Sequence, residues 1–495
     1  MKKYFLWAFA LCSFSVHAQH ADVKIKFIGA KSNEATIILP VENTYFWPNK
    51  IVKKFEADSI LDLSLNVGKI SRVNIVSNFK NYIFYIEPGK STVELDFRKN
   101  ALSPILFKGA NAEGQVLINK KAYEYFQDAA MEYSAADTTA IGLKAKIESD
   151  KEKELNRYTS LLDQKKISPS FYQLAKNELD YFYKGTMSYA VAHFFFSSQR
   201  PNSTVKFKKE HADLWEELYR NHSFTDSQAL LTTDFYEFAR YYTEYYKGVY
   251  SQYQKNVKDD RANLSSDELI IRTYTGFEAN FKGKVREYML ASLLFNEAYQ
   301  EKFPKMLITL TEKFNEEYPN NKYSPLFEDK IDEIVKFHTA AKADYTSEQK
   351  FVVDYARVNT VDELLGKFKG KTVFVDLWAT WCGPCKAEFE YGEELEEFLK
   401  ANEAEMLFIS MDKDAADQQW KDMIKFYDLK GYHIRTNAAL QKDLIDKLWG
   451  GKGYSIPRYL ILKDGKIVVD KALRPSSKDK LYEQISSYLM KKEAE

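Results

Sequence analysis

Cysteine is scarce, with three residues in 495. That excludes a fold held together by a disulfide framework. Cys12 falls in an N-terminal stretch that reads as removable, which leaves one pair, Cys382 and Cys385, two residues apart. A bond between them closes a loop too short to tie distant parts of the chain together, which argues against a purely structural staple. Charge of one sign is also missing. Lys and Arg number 71, Asp and Glu 71, and the formal net charge is zero, so no bulk attraction to nucleic acid or to an acidic partner is expected. Beyond the N-terminal stretch no run stays apolar for the roughly 18 residues that a membrane helix needs. The seven histidines, His433 among them, show no metal-ligand spacing; they read as structural or surface groups, and no metal is expected. No repeat is clear enough to indicate a solenoid, and no Pro-x-x-x-Thr-x-x-Cys segment supports a peroxidase.

The chain begins with Lys2 and Lys3, a short and mostly apolar stretch from Tyr4 to Val16, and Val16-His17-Ala18, with small side chains where a signal peptidase reads. This predicts a cleavable export signal over 1–18, too short for a stable membrane anchor, and a periplasmic mature protein. A lipoprotein signal at Cys12 fits less well, because bulky Leu11 precedes it. Length suggests about three further segments at roughly 150 residues per domain.

Residues 19–109 alternate with period two. Val23, Ile25 and Phe27 interleave with Asp22, Lys24 and Lys26; Leu61, Leu63, Leu65 and Val67 with Asp62, Ser64 and Asn66; Val93, Leu95 and Phe97 with polar partners after Glu87-Pro88-Gly89. This predicts an all-β N-terminal domain, a small antiparallel sandwich or barrel. Residues 110–346 have few Gly or Pro and read as an all-α domain, with helix starts at Ser168-Pro169 and Thr225-Asp226 and breaks at Asn202, Asn221 and Pro319-Asn320-Asn321. Tyr241, Tyr242, Tyr245 and Tyr246 repeat at i, i+4, a stripe expected to pack against a neighbouring helix rather than to line a ligand site.

Residues 347–495 alternate between element types. Strands are predicted over 372–378 and 406–411, helices over 384–401, 417–427 and 440–448, a hairpin of 458–462 and 466–471 around Lys463-Asp464-Gly465, and a last helix over 479–491. That order implies an α/β sheet flanked by helices. Within it, the apolar strand Val373-Phe374-Val375-Asp376-Leu377-Trp378 runs through Ala379-Thr380 into Trp381-Cys382-Gly383-Pro384-Cys385, which opens a helix. A cysteine at a helix N-terminus meets unpaired N–H groups and the positive end of the dipole, which favour its thiolate. Pro384 suits the first helical turn, and Cys385 follows one turn inward. Asp376, on a buried strand, is expected to have a raised pKa.

Trp381-Cys382-Gly383-Pro384-Cys385 resembles the thioredoxin active site as it stands. Asp376 falls where that family has its buried acid, Ile456-Pro457 at its Ile–cis-proline pair, and Lys463-Asp464-Gly465 at its hairpin turn. Trp378-Ala379-Thr380-Trp381-Cys382 followed by Lys386-Ala387-Glu388-Phe389, with an extra segment between Met411 and Leu440, is similar to the exported TlpA/ResA type. The resemblance covers 359–491. More loosely, the layout resembles multidomain periplasmic thioredoxin-like proteins with an N-terminal β domain, for which Glu87-Pro88-Gly89 and Phe107-Lys108-Gly109 are cues. Two positions depart from the pattern. Glu390 stands where many relatives have Pro, which predicts a helix without their kink. Asp412-Lys413-Asp414 stands where many ResA-type proteins have a Glu, so that residue's role does not transfer.

The resemblance implies a thioredoxin fold and a thiol–disulfide oxidoreductase. In it, Cys382 and Cys385 form the redox-active disulfide, with Cys382 attacking and Cys385 resolving, and Asp376 takes the Cys385 proton. Trp381, Gly383, Pro384, Ile456 and Pro457 contact substrate. It implies no metal or organic cofactor, a protein disulfide or dithiol as partner, and no nucleic acid. Gly-Pro between the cysteines resembles the reducing end of the family, and a reductase in an oxidising compartment needs a membrane electron donor outside this chain. Two alternatives stay open: an oxidase or isomerase of the same fold, or a protein whose N-terminal region binds a protein or glycan, with the dithiol domain as an accessory.

Overall fold

The computed structural model describes residues 19–29, 34–54, 58–77, 80–98, 105–120, 125–220 and 222–489. The expected export signal at 1–18, the break at Asn221 and the end of the last predicted helix lie outside them. The chain divides into two compact units, one of residues 1–295 with 311–327, the other of residues 296–310 with 328–495.

In the first unit, eight strands form two four-stranded sheets. The strands are β1 (Gln19–Ile28), β2 (Glu34–Ile38), β3 (Lys50–Lys54), β4 (Ser59–Val67), β5 (Ser71–Ser77), β6 (Lys80–Ile86), β7 (Gly89–Asp96) and β8 (Ile105–Lys108). One sheet runs β4-β1-β7-β8, the other β3-β2-β5-β6. Val23, Ile25 and Phe27 of β1, Val93 and Leu95 of β7, and Ile37, Ile75 and Phe84 of the second sheet share one core, so the β region is a sandwich. It is not wholly antiparallel as expected, because β1 pairs with β7 in parallel. Period-two alternation is the same for either direction, and only long-range pairing decides it.

Helices follow the sandwich. Ser168 caps the helix Pro169–Ser198, its hydroxyl accepting the Phe171 N–H at 3.0 Å. Phe171 and Leu174 of this helix pack with Tyr158 against Ile83 and Tyr85 of β6. The outer face of the second sheet is thereby covered by helices, which join sandwich and helices in one unit. The tyrosine stripe packs: Tyr241 against Phe126 at 5.7 Å and Tyr242 against Tyr219 at 5.0 Å. The stripe lies on an α-helix, Phe235–Tyr241, that continues as a π-helix, Tyr242–Tyr250. Among the described residues, no helix is long and apolar enough to cross a membrane.

The second unit is the α/β thioredoxin-like domain. Its sheet comprises β9 (Gln349–Phe351), β10 (Thr372–Trp378), β11 (Glu405–Ser410), β12 (Gly431–Arg435), β13 (Arg458–Lys463) and β14 (Lys466–Val469), in the order β14-β13-β10-β11-β12-β9. Strands β10, β11, β12 and β9 pair in parallel, and β13 and β14 are antiparallel. All seven residues of β10 are buried. Burying Val373, Phe374, Val375 and Leu377 stabilises this strand by about 1.5–3 kcal/mol per side chain. The hairpin turn puts Asp464 and Gly465 at φ 52° and 70°, the positive values a tight primed turn requires. A Cβ at Gly465 would also meet the Leu365 carbonyl at 2.9 Å.

Three sequence expectations change here. The predicted helix over 384–401 is two helices, Gly383–Glu388 and Gly392–Ala401, joined by a 3₁₀ turn at Phe389–Tyr391. The interruption needs no proline. Glu388 is drawn to Ser476 and Phe389 into an aromatic cluster with Trp378 and Tyr427, which tightens the turn between them. Strand β12, unpredicted, fills the sheet between β11 and β9. The last helix is Asp479–Ser486, shorter than predicted because the chain turns at Ser487 to Tyr488, whose carbonyl accepts the Thr372 hydroxyl.

Candidate active site

Strand β10 carries the chain from the centre of the sheet to the cysteines. At its end Met411 N–H donates to the Trp378 carbonyl at 2.8 Å. The loop that follows is anchored by Asp412, a buried carboxylate that accepts the Thr380 N–H at 2.9 Å, the Thr380 hydroxyl at 2.8 Å and the Ser410 hydroxyl at 2.8 Å. In the sequence alone, Asp412 is only a departure from the ResA-type pattern. Its position beside a Thr-Trp-Cys turn gives no local signal, because Thr380 lies 32 residues away in the chain.

Cys382 and Cys385 are joined by a disulfide with Cα atoms 5.3 Å apart. Cys382 is the N-cap of the helix Gly383–Glu388, and the Cys385 N–H points at its Sγ at 3.2 Å. That is the donor a thiolate at Cys382 would use. Cys385 is fully buried and Cys382 nearly so, while Gly383 and Pro384 are exposed. Trp381 is 58% exposed beside them, and Trp378 is buried against Phe389. The Ile456–Pro457 peptide bond is cis. Pro457 lines a surface cavity with Tyr459, Arg458 and Arg474.

Asp376, 1% exposed, pairs in register with Tyr459 of β13 and Phe408 of β11. Its Oδ1 has no hydrogen-bond partner among the described residues, nor has the Tyr459 hydroxyl. Burial pushes the Asp376 carboxyl well above the usual carboxylate range, and the charge of Glu388 pushes it further. Glu388, three residues after Cys385, is buried and accepts Ser476 N–H at 2.9 Å, Ser476 hydroxyl at 3.0 Å and Arg474 at 3.4 Å. The sequence reading used Glu388 only as part of a family pattern; a charged residue at a position one turn beyond a buried cysteine was its signal. Lys386 is also buried and pairs with Glu301 at 3.0 Å, within the same compact unit. His433, fully buried, is structural: its Nε2 bonds the Leu429 carbonyl at 2.9 Å, its ring stacks on Phe408, and burial holds its pKa down at about 4.

Residues 351–485 match the Redoxin family. Over 157 residues, 30% of this chain and 82% of the relative, the sequence is 34% identical to the thiol-disulfide oxidoreductase ResA of Bacillus thuringiensis subsp. konkukian. The chain belongs to the ResA family of thiol–disulfide oxidoreductases. Its ResA-like part is 37% identical over 131 residues to ResA of Bacillus cereus, covering 26% of this chain and 66% of that one. Among solved structures, the thioredoxin domain of a thiol-disulfide oxidoreductase from Bacteroides vulgatus is 25% identical, covers 26% of this chain and 84% of that chain, and aligns with a TM-score of 0.21. The ResA likeness thus falls on the second unit, and the site above is the part of the chain that carries it.

Proposed function

We propose that the chain is an exported, periplasmic reductase of protein disulfides, delivered by a cleavable signal at 1–18. The Cys382 thiolate attacks one sulfur of a substrate disulfide. The substrate S–S bond breaks, a mixed disulfide with Cys382 forms, and the other substrate sulfur leaves as a thiolate that takes up a proton. Asp376, in its ionised form, then takes the Cys385 proton, and the Cys385 thiolate attacks the Cys382 sulfur. The second substrate thiol departs and the Cys382–Cys385 disulfide remains, so two electrons have passed to the substrate. A carboxyl raised by burial is better matched to a thiol proton than an ordinary one. Trp381, Gly383, Pro384, Ile456 and Pro457 are assigned to substrate contact. A dithiol donor at the membrane, outside this chain, returns the electrons.

The reducing direction rests on one observation. Lys386, the cation of the active-site turn, is neutralised by Glu301 at 3.0 Å, and Gly383-Pro384 brings no cation to Cys382. Glu388, on the helix that Cys382 caps, adds an acidic group to the turn. A thiolate without a dedicated cation leaves the reduced form less stabilised and the couple more reducing. Equilibration with glutathione or dithiothreitol mixtures should give a potential below about −220 mV, nearer thioredoxin at about −270 mV than the strong oxidants at about −120 mV. A value above about −170 mV would turn the reading into an oxidase or isomerase.

A further inference from the structure

The first unit holds a cavity of about 370 Å³, in the size range of small-molecule sites. Its apolar wall includes Ile118, Tyr158, Leu179 and Phe182. Two of its lining acids, Glu178 and Asp234, are unequally matched, and Arg72, which pairs with Glu178, lies outside the lining. Fully buried Arg72 donates to Glu178 at 3.3 Å, to the Leu231 carbonyl at 2.8 Å, to the Thr233 hydroxyl at 2.7 Å and to Asn74 at 2.6 Å. Glu178 in turn accepts the Tyr85 hydroxyl at 3.2 Å and the Thr233 hydroxyl at 2.6 Å. That pair is complete.

Asp234 is not matched in this way. It lines the same cavity, is 7% exposed, and does not cap its own helix. Among the described residues no group hydrogen-bonds its carboxyl. A buried polar group without a partner is costly, and one facing a cavity invites a ligand to supply it. Burial, reinforced by the charge of Glu178 and by Glu237 and opposed by Arg72, raises its pKa to about 8. The remaining charged groups of the cavity are Glu154 in the wall and Arg157 and Lys120, both exposed. The cavity lining thus combines a buried acid without a hydrogen-bond partner, two exposed cations and apolar side chains.

We infer that this cavity binds a short peptide with free termini, its ammonium at Asp234, its carboxylate at Arg157 and Lys120, and its apolar side chains against Tyr158, Leu179 and Phe182. The volume suits about two or three residues. This site is independent of the dithiol and gives the N-terminal unit a binding role of its own. Seating the ammonium turns Asp234 from acid to carboxylate, so its proton leaves to solvent on binding near neutral pH.

Titration calorimetry of the full chain at pH 7, in phosphate and in Tris, tests this with trileucine and N-acetyl-trileucine as probes. Trileucine should bind with release of close to one proton, seen as a difference in heat between buffers. Acetylation should weaken binding at least tenfold. Asp234→Asn should lose both affinity and proton release, and Arg157→Ala should weaken binding without removing proton release. No heat with trileucine, equal binding of the acetylated peptide, or unchanged proton release in Asp234→Asn would each overturn the assignment. The acetylation arm needs no variant and so stands whether or not the variants fold.

Discussion

Replacing Asp376 by Asn should remove a pH dependence from the stability of the thioredoxin-like unit. The folded carboxyl has a pKa well above its usual value, first through burial and then through Glu388, whereas in the unfolded chain it titrates near about 3.9. Between those two values the native state holds a proton that the unfolded state has released. Stability therefore falls as pH rises across that window, by up to about 1.4 kcal/mol per pH unit, until the native carboxyl itself ionises. Asn cannot ionise, so the difference between wild type and Asp376→Asn should change by about 1.4 kcal/mol, a tenfold change in the folding equilibrium, between about pH 5 and pH 6. The absolute level is a poorer readout, because the Asn amide brings a buried donor whose lack of a partner costs about 1–3 kcal/mol at every pH. Fully buried Cys385 supplies the assay: in a reduced Cys12→Ala, Cys382→Ser background, its alkylation in a urea series reports unfolding of this unit alone. Parallel pH profiles for the two proteins would refute the assignment of Asp376 as a buried acid with a raised pKa.

Asp412→Ala should strand the Thr380 and Ser410 donors it now accepts, costing about 1–3 kcal/mol and slowing mixed-disulfide formation several-fold; Asp412→Asn, which keeps an acceptor, should lose less on both counts in the same urea and stopped-flow assays. Lys386→Met should leave Glu301 paired with Lys330 alone, at 3.2 Å. Because Glu301 is a third exposed, the loss should be nearer about 1–2 kcal/mol than the larger cost of breaking a fully buried pair, again read by urea titration. N-terminal sequencing of protein from fractionated cells should begin at or near Gln19 in the periplasmic fraction, and full-length protein in the cytosol would defeat the export reading.

The sequence was legible where one face of an element meets water. Val23, Ile25 and Phe27 alternate with charged residues because β1 has a core face and a solvent face, and β4 and β7, its neighbours in the same sheet, read equally clearly. Strands β5 and β6 are buried on nearly every residue, since the sandwich core covers one face and helices the other, so alternation vanishes there. Strand β12 is hidden for a related reason: its five residues include a buried His433 whose Nε2 bonds the Leu429 carbonyl, and a short polar strand carries no periodic signal. At the site, the cysteines and Asp376 were visible because motif and strand are contiguous. Asp412 was read as a departure from the family pattern, and Glu301 as part of a separate helical domain. The contacts that tie each to the site are distant in sequence, with Thr380 and with Lys386 respectively.

The division of labour between the two cysteines is the centre of this account, and mass spectrometry of single-cysteine variants incubated with a disulfide-bonded protein tests it most directly. Cys385→Ser should accumulate a mixed disulfide between Cys382 and substrate, because attack proceeds and resolution does not, while Cys382→Ser should form none. Full turnover by Cys385→Ser, or a trapped adduct on Cys385 in place of Cys382, would contradict it.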